Sequence, residues 1–169
     1  LGLLAQTLPM DGSVLNRRHV MLEWDFSTGE TRVELDNSSE RDLFENPIFS
    51  QIIKGSNSIL VEEGLAWGES YQWRIRDESI SPPGPWLFLN TFSLKDLPEE
   101  INLTVNSFGK PSDGVTVFNF CNFLLGYGKN SELIWFVESE QNVTDIVQTK
   151  DGDYLYVSSG QAFKVDIDG

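Results

Sequence analysis

The chain has little of the chemistry on which most enzyme sites depend. It contains one cysteine, Cys121, and one histidine, His19, among its 169 residues. A single cysteine excludes an internal disulfide, and neither residue has a second cysteine or histidine with which to share a metal ion. We therefore expect no catalytic residue, no metal site and no cofactor. Cys121 lies in the aromatic run VFNFCNFLL, where we expect a buried structural thiol.

Basic side chains and long apolar runs are also scarce. The chain has 12 Lys and Arg against 26 Asp and Glu, which gives a net charge of −14 at pH 7. That charge disfavours nucleic-acid phosphates and anionic membrane surfaces as partners. No apolar run approaches the roughly 18 residues that a membrane-spanning helix requires. We expect neither a nucleic-acid partner nor a membrane span.

What the sequence does contain is a series of short apolar runs separated by turn residues. It has 14 Gly, 7 Pro and 12% aromatic residues, and long helical periodicity is absent. This pattern predicts an all-β protein. In HVMLEW, ETRVELD and SYQWRIRD apolar and polar positions alternate, as in antiparallel sheets that bury one face. We predict a two-sheet sandwich over residues 1–97.

Three features of this first half resemble a fibronectin type III domain, over about residues 9–94. Trp24 in LEW matches the core tryptophan of the family's second strand. Leu65 and Tyr71, six residues apart, match its tyrosine-corner spacing, and GPWLFLNTFSL is similar to its last strand. The resemblance implies a β-sandwich in which five residues have structural roles: Trp24, Leu65, Tyr71, Trp73 and Trp86.

The tryptophans of this half allow a second interpretation. Trp67, Trp73 and Trp86 could form a platform on which sugar rings stack. Core or corner positions explain Trp73 and Trp86 more simply, because large aromatic side chains contribute most when they are buried. The sequence therefore leaves open whether this half binds a glycan or a protein.

The second half, residues 98–169, begins with a short acidic joint and then resembles the opening of bacterial arylsulfotransferases. The resemblance covers about residues 103–169 and rests on DGVTVF, FLLGYGKNSELIWFVE, KDGDYL and FKVDIDG in the family's order. It implies a β-meander that forms the first blade of a propeller, with Trp135 as a structural residue. It also implies sulfate transfer between phenolic compounds through a propeller histidine. No histidine follows His19, so no catalytic residue is carried over.

These observations predict the non-catalytic N-terminal part of a secreted arylsulfotransferase-like protein. It would be extracellular, at the cell surface or periplasmic, with the remainder of a propeller domain or another chain as its partner. One alternative is an extracellular binding or structural module that contacts protein or glycan. Another is the front end of a different propeller protein.

Two kinds of motif add candidate sites. Asn37, Asn102 and Asn142 each begin an Asn-x-Ser/Thr sequon, the acceptor pattern for N-linked glycans in secreted proteins. The segment DIDG, from Asp166, resembles the start of a calcium loop. Because such a loop needs further oxygen ligands, ordinary turn chemistry explains this segment better.

Overall fold

The computed structural model of this chain describes residues 7–25, 29–38, 44–103 and 114–165, and these ranges contain strands and turns but no helix. The predicted all-β class is confirmed. The described ranges also contain no helix long and apolar enough to cross a membrane. The strands are β1 (Ser13–Leu15), β2 (Val20–Glu23), β3 (Glu30–Asn37), β4 (Phe49–Lys54), β5 (Ser58–Val61), β6 (Ser70–Asp77), β7 (Leu87–Leu94), β8 (Thr116–Phe120), β9 (Phe123–Tyr127), β10 (Leu133–Glu138), β11 (Val143–Gln148), β12 (Tyr154–Ser158) and β13 (Gln161–Val165).

The chain divides into two compact units, Leu1–Pro98 and Glu99–Gly169. The first unit contains a five-stranded sheet in the order β1-β7-β6-β3-β4 and a two-stranded sheet of β2 and β5. β1 runs parallel to β7, and the other neighbouring strands are antiparallel. Their inward side chains form one core, so the predicted β-sandwich is confirmed.

The alternation of apolar and polar residues decides which side chains enter that core. On β6, the apolar residues of SYQWRIRD are at most 2% exposed. On β2, Val20 and Leu22 are fully buried, whereas Met21 is 41% exposed and faces outward. The buried core consists of Val20, Leu22, Trp24, Val33, Leu35, Val61, Leu65, Tyr71, Trp73, Ile75, Phe92 and Leu94. The two sheets therefore meet through large aromatic and branched side chains.

The second unit contains two three-stranded antiparallel meanders, ordered β10-β9-β8 and β11-β12-β13. The sequence predicted one meander over this stretch, and the structure divides the strands between two sheets. A β-bulge between Val143 and Asp145 shifts the register of β11, so its apolar residues depart from a strict period of two. Side chains from both sheets form a common core: Leu124, Ile134, Trp135, Val143, Tyr154 and Tyr156.

The middle strand of the first meander is buried along its whole length. All five residues of β9, Phe123–Tyr127, are buried. Gly126 lies opposite Trp135 in the pairing of β9 with β10, and the indole ring occupies the space where a side chain at position 126 would begin. The glycine is therefore needed for space, since its φ is not in the left-handed region.

We expect Gly126→Ala to lower the free energy of unfolding by about 1–3 kcal/mol, the usual cost of overpacking a core. The added methyl group would overlap the Trp135 ring, and a buried ring cannot move aside without disturbing Tyr154, whose ring centroid lies 5.6 Å away. Chemical denaturation of the two proteins measures the difference. Gly29→Ala is the matched control, because its new methyl group meets only Ser79 Cβ at 3.6 Å. Equal losses in both variants would contradict the packing argument.

Candidate binding face of the sandwich

The outward face of the five-stranded sheet carries a cross-strand row of polar and aromatic side chains, which we call the ladder face. Its position follows from the register. Arg32 on β3 pairs with Ile52 on β4 and with Arg76 on β6, while Glu34 pairs with Ser50 and Arg74. Directly paired residues point to the same side of a sheet, so these side chains lie next to one another. The ladder face consists of Arg32, Glu34, Phe44, Ser50, Ile52, Arg74, Arg76, Glu78 and Trp86.

Cation–π contacts run through the middle of the ladder face. The Arg74 guanidinium carbon lies 4.2 Å from the centroid of the Phe44 ring and 4.0 Å from that of Trp86. The Arg76 guanidinium carbon lies 4.4 Å from the Trp86 centroid. Such contacts are attractive because the positive charge meets the negative face of the aromatic ring. The Trp86 indole is half-buried and contacts two guanidinium groups.

Each arginine of this face also has a carboxylate partner. Arg74 donates from Nε and Nη2 to Glu34 Oε2, at 2.9 and 2.6 Å. Glu78 Oε1 accepts from Arg32 Nε at 2.5 Å and from Arg76 Nη2 at 2.7 Å. Hydrogen bonds from Arg32, and then from Arg76, lower the pKa of Glu78 below its usual value. The three arginines of the face are thus each tied to a glutamate.

The tyrosine corner lies at one end of β6. Tyr71 is 2% exposed, its oxygen accepts the Ala66 N–H at 2.7 Å, and its ring lies 5.4 Å from that of Phe92. Leu65 is 2% exposed, and its carbonyl accepts from Arg18 Nε at 2.8 Å. Burial raises the pKa of the Tyr71 hydroxyl. These contacts join the turn before β6 to the core.

The three tryptophans of the proposed sugar platform do not form an exposed surface. Trp73 is fully buried, Trp67 is half-buried against the core, and Trp86 is half-buried with two guanidinium groups against its ring. Trp24 and Trp135 are also buried, at 1% and 4% exposure. The indole N–H groups of Trp24, Trp73 and Trp135 have no acceptor within the described part of the chain, so these residues contribute through packing.

The remaining candidate residues lie apart from the ladder face. His19 is half-buried immediately before β2. Cys121, expected to be buried, is instead exposed: it lies in the β8–β9 turn with φ 52°, so its side chain points away from the core that its aromatic neighbours enter. Asn102 and Asn142 are exposed, and Asn37 is half-buried. The DIDG segment lies outside the described residues, and among those described no group of three or more His, Cys, Asp or Glu could hold a metal ion.

Sequence reasoning did not find the ladder face. The relevant signal was present, because Arg32 and Glu34 alternate on β3 as Arg74 and Arg76 do on β6. The alternation identifies those positions only as the polar sides of strands. Which arginine faces which glutamate depends on strand order and register, and neither can be read from the alternation itself.

Comparison with known proteins provides little further information. No family profile and no curated protein matches the chain. Seventeen solved chains are similar to it. One is a crystal structure of the chicken CNTN1 FN1-FN3 domains, with 11% identity and a TM-score of 0.36 over 96% of this chain and 64% of that chain. The chain thus spans less than two thirds of that structure. The assignment of a β-sandwich rests on the sheet order and the core described above.

The ion pair between Arg74 and Glu34 predicts a non-additive pair of substitutions. Arg74→Met should lower the free energy of unfolding by about 3–5 kcal/mol, because it leaves a carboxylate unpaired in a site where both side chains are largely buried, 16% and 11% exposed. Adding Glu34→Met should recover most of that loss, since an apolar pair of similar size needs no charge partner. Urea denaturation of the two single variants and the double variant measures the coupling. Additive losses would show that the pair does not act as a unit.

Proposed function

We propose that this protein is an extracellular structural and docking module whose sandwich presents the ladder face to a protein partner. The observation that carries this proposal is the internal pairing of the face: Arg74, Arg76 and Trp86 are held by one another before any ligand arrives. Binding surfaces that are already ordered lose little conformational entropy on association. Arginine and tryptophan are also the side chains that most often dominate protein interfaces.

The same geometry favours a protein over a glycan as the ligand. A sugar ring stacks on an open aromatic face, and the Trp86 ring already lies against two guanidinium groups at 4.0 and 4.4 Å. A flat protein surface can instead use the outer parts of Arg32 and Arg76, whose side chains are 28% and 26% exposed, together with Ile52, which is 37% exposed. These groups combine apolar and charged contacts within one patch.

The proposal includes the domain boundaries. We assign residues 1–97 to the sandwich module and residues 98–169 to a separate meander domain. The division into compact units at Pro98 supports this assignment, as does the fact that the buried residues of the sandwich core lie between Val20 and Leu94. A module of this kind should fold without its neighbour.

The test is to produce residues 1–98 alone and to compare their unfolding with that of the whole chain. We expect the isolated unit to unfold in one cooperative transition. Its denaturant midpoint should equal the midpoint of the sandwich tryptophans in the whole chain, measured by near-ultraviolet circular dichroism. Trp24→Ala is the control that should lower both midpoints equally, since Trp24 lies in the sandwich core. An isolated unit that stays unfolded would refute the module. A shift of the Trp86 indole N–H resonance on addition of neutral oligosaccharides would favour the glycan alternative.

A second candidate function is that of the front end of an arylsulfotransferase-like propeller protein. In that protein this chain would have a structural role and no catalytic one. Two features support it: meanders in the second unit share one core, as neighbouring propeller blades do, and the Asp151-Gly152 turn joins β11 to β12 with Gly152 at φ 96°. The front end of another propeller protein would share both features.

This candidate predicts that the chain itself does not transfer sulfate from 4-nitrophenyl sulfate to a phenol. The family's reaction uses a propeller histidine, and the one histidine, His19, precedes the meanders. Release of 4-nitrophenol, followed by absorbance, measures the reaction, with the His19→Ala variant as the control. Turnover by the purified chain would show that this scaffold role is wrong.

A further inference from the structure

The connection between the two meanders of the second unit begins at a buried serine, Ser139, continues through three exposed residues and is held by hydrogen bonds. It comprises residues 139–142, between β10 and β11. The Ser139 N–H donates to Asn122 O at 2.8 Å, and Asn122 Nδ2 donates to Ser139 O at 3.3 Å. On its other side, Ser158 Oγ donates to Gln141 O at 3.1 Å. The connection is therefore attached to both the β8–β9 turn and the end of β12.

Asn142 is the last residue of this connection, and its side chain is exposed. It begins the sequon Asn142-Val143-Thr144. Val143 is 4% exposed and anchors the segment in the core, while Thr144 is exposed and its hydroxyl donates to Val157 O at 3.3 Å. A large group attached to the Asn142 amide would thus extend into solvent without displacing any core side chain.

Asn37 offers a contrasting environment for the same motif. It lies within β3, paired with Tyr71 of β6, and is half-buried. Its side-chain Nδ2 donates to Glu69 Oε2 at 2.9 Å. A glycan would replace one of the two hydrogens on that nitrogen and would lie beside a strand that is paired in the sheet. The folded sandwich is therefore a less favourable place for a glycan at Asn37 than the exposed connection is at Asn142.

The Asn142 site also adjoins the only thiol of the chain. The Val143 N–H donates to Cys121 O at 2.8 Å, so the backbone next to Asn142 contacts the turn on which Cys121 is exposed. An exposed unpaired thiol is a liability outside the cell, where it can oxidise or form disulfides with other proteins. A branched sugar at position 142 would hinder access to that turn.

We propose that Asn142 carries an N-linked glycan that shields the Cys121 thiol. In the reaction, Asn142 Nδ2 forms a bond to the anomeric carbon of an oligosaccharide. The bond from that carbon to a lipid pyrophosphate breaks, the lipid pyrophosphate leaves with the electron pair, and the amide nitrogen loses one proton to the transferase. This inference rests on the proposed extracellular location, because N-linked glycans are added along the secretory pathway.

The test uses the whole 169-residue chain, secreted from a eukaryotic cell line behind a cleavable signal peptide. Intact mass and peptide mapping should show a glycan at Asn142, and Asn142→Gln and Thr144→Ala should each remove it. Asn37→Gln is the matched control and should leave the glycan mass unchanged. A folded, secreted chain with unmodified Asn142 would overturn the site and leave the proposed extracellular module standing. A chain retained in the cell would count against the proposed extracellular module. The glycan at Asn142 could still be measured by mass in the retained fraction.

Shielding has its own readout. The Cys121 thiol of the glycosylated protein should react several-fold more slowly with an aromatic disulfide reagent than the thiol of Asn142→Gln, followed by absorbance of the released thiolate. The glutamine variant is the suitable reference because it removes the glycan without adding a charge that would alter the thiol. Equal rates in the two proteins would overturn the shielding role.

Discussion

The sandwich depends on the strict alternation of β6, which lies between β3 and β7 in the five-stranded sheet. Tyr71, Trp73 and Ile75 enter the core because successive side chains of a strand point to opposite faces. The same constraint places Arg74 and Arg76 on the outer face. A shift of one residue in register would expose two large aromatic rings and bury two guanidinium groups, so the core and the ladder face stabilise the same pairing.

Charge is the second constraint on that face. Three arginines lie close together in a chain with a net charge of −14, and each is balanced by Glu34 or Glu78. Without those carboxylates the guanidinium groups would repel one another across adjacent strands. With them, the face becomes nearly neutral and is ordered in advance. This combination suits the proposed docking of a protein better than the binding of a free anion.

The second unit follows a different plan. Two short meanders, neither of which could bury its apolar face alone, share one core built around Trp135, Tyr154 and Tyr156. The approach of Trp135 to Gly126 shows how closely the first sheet is packed. In the connection at residues 139–142, the residues after the buried Ser139 are exposed. Its hydrogen bonds to the β8–β9 turn and to the end of β12 make it a stable place for a large surface group.

The sequence by itself determined the all-β class, the sandwich of the first half and the inward positions of Trp24, Tyr71 and Trp73, because alternation and turn residues are local properties. Its prediction for the second half was coarser. The bulge in β11 breaks the period on which strand prediction depends, and the position of Cys121 in a turn with positive φ is not visible among its aromatic neighbours. Only the tertiary structure decided which arginine meets which glutamate, that Trp86 contacts two guanidinium groups, and that Asn142 adjoins Cys121. Those contacts join residues far apart in the chain, and strand order and register bring them together.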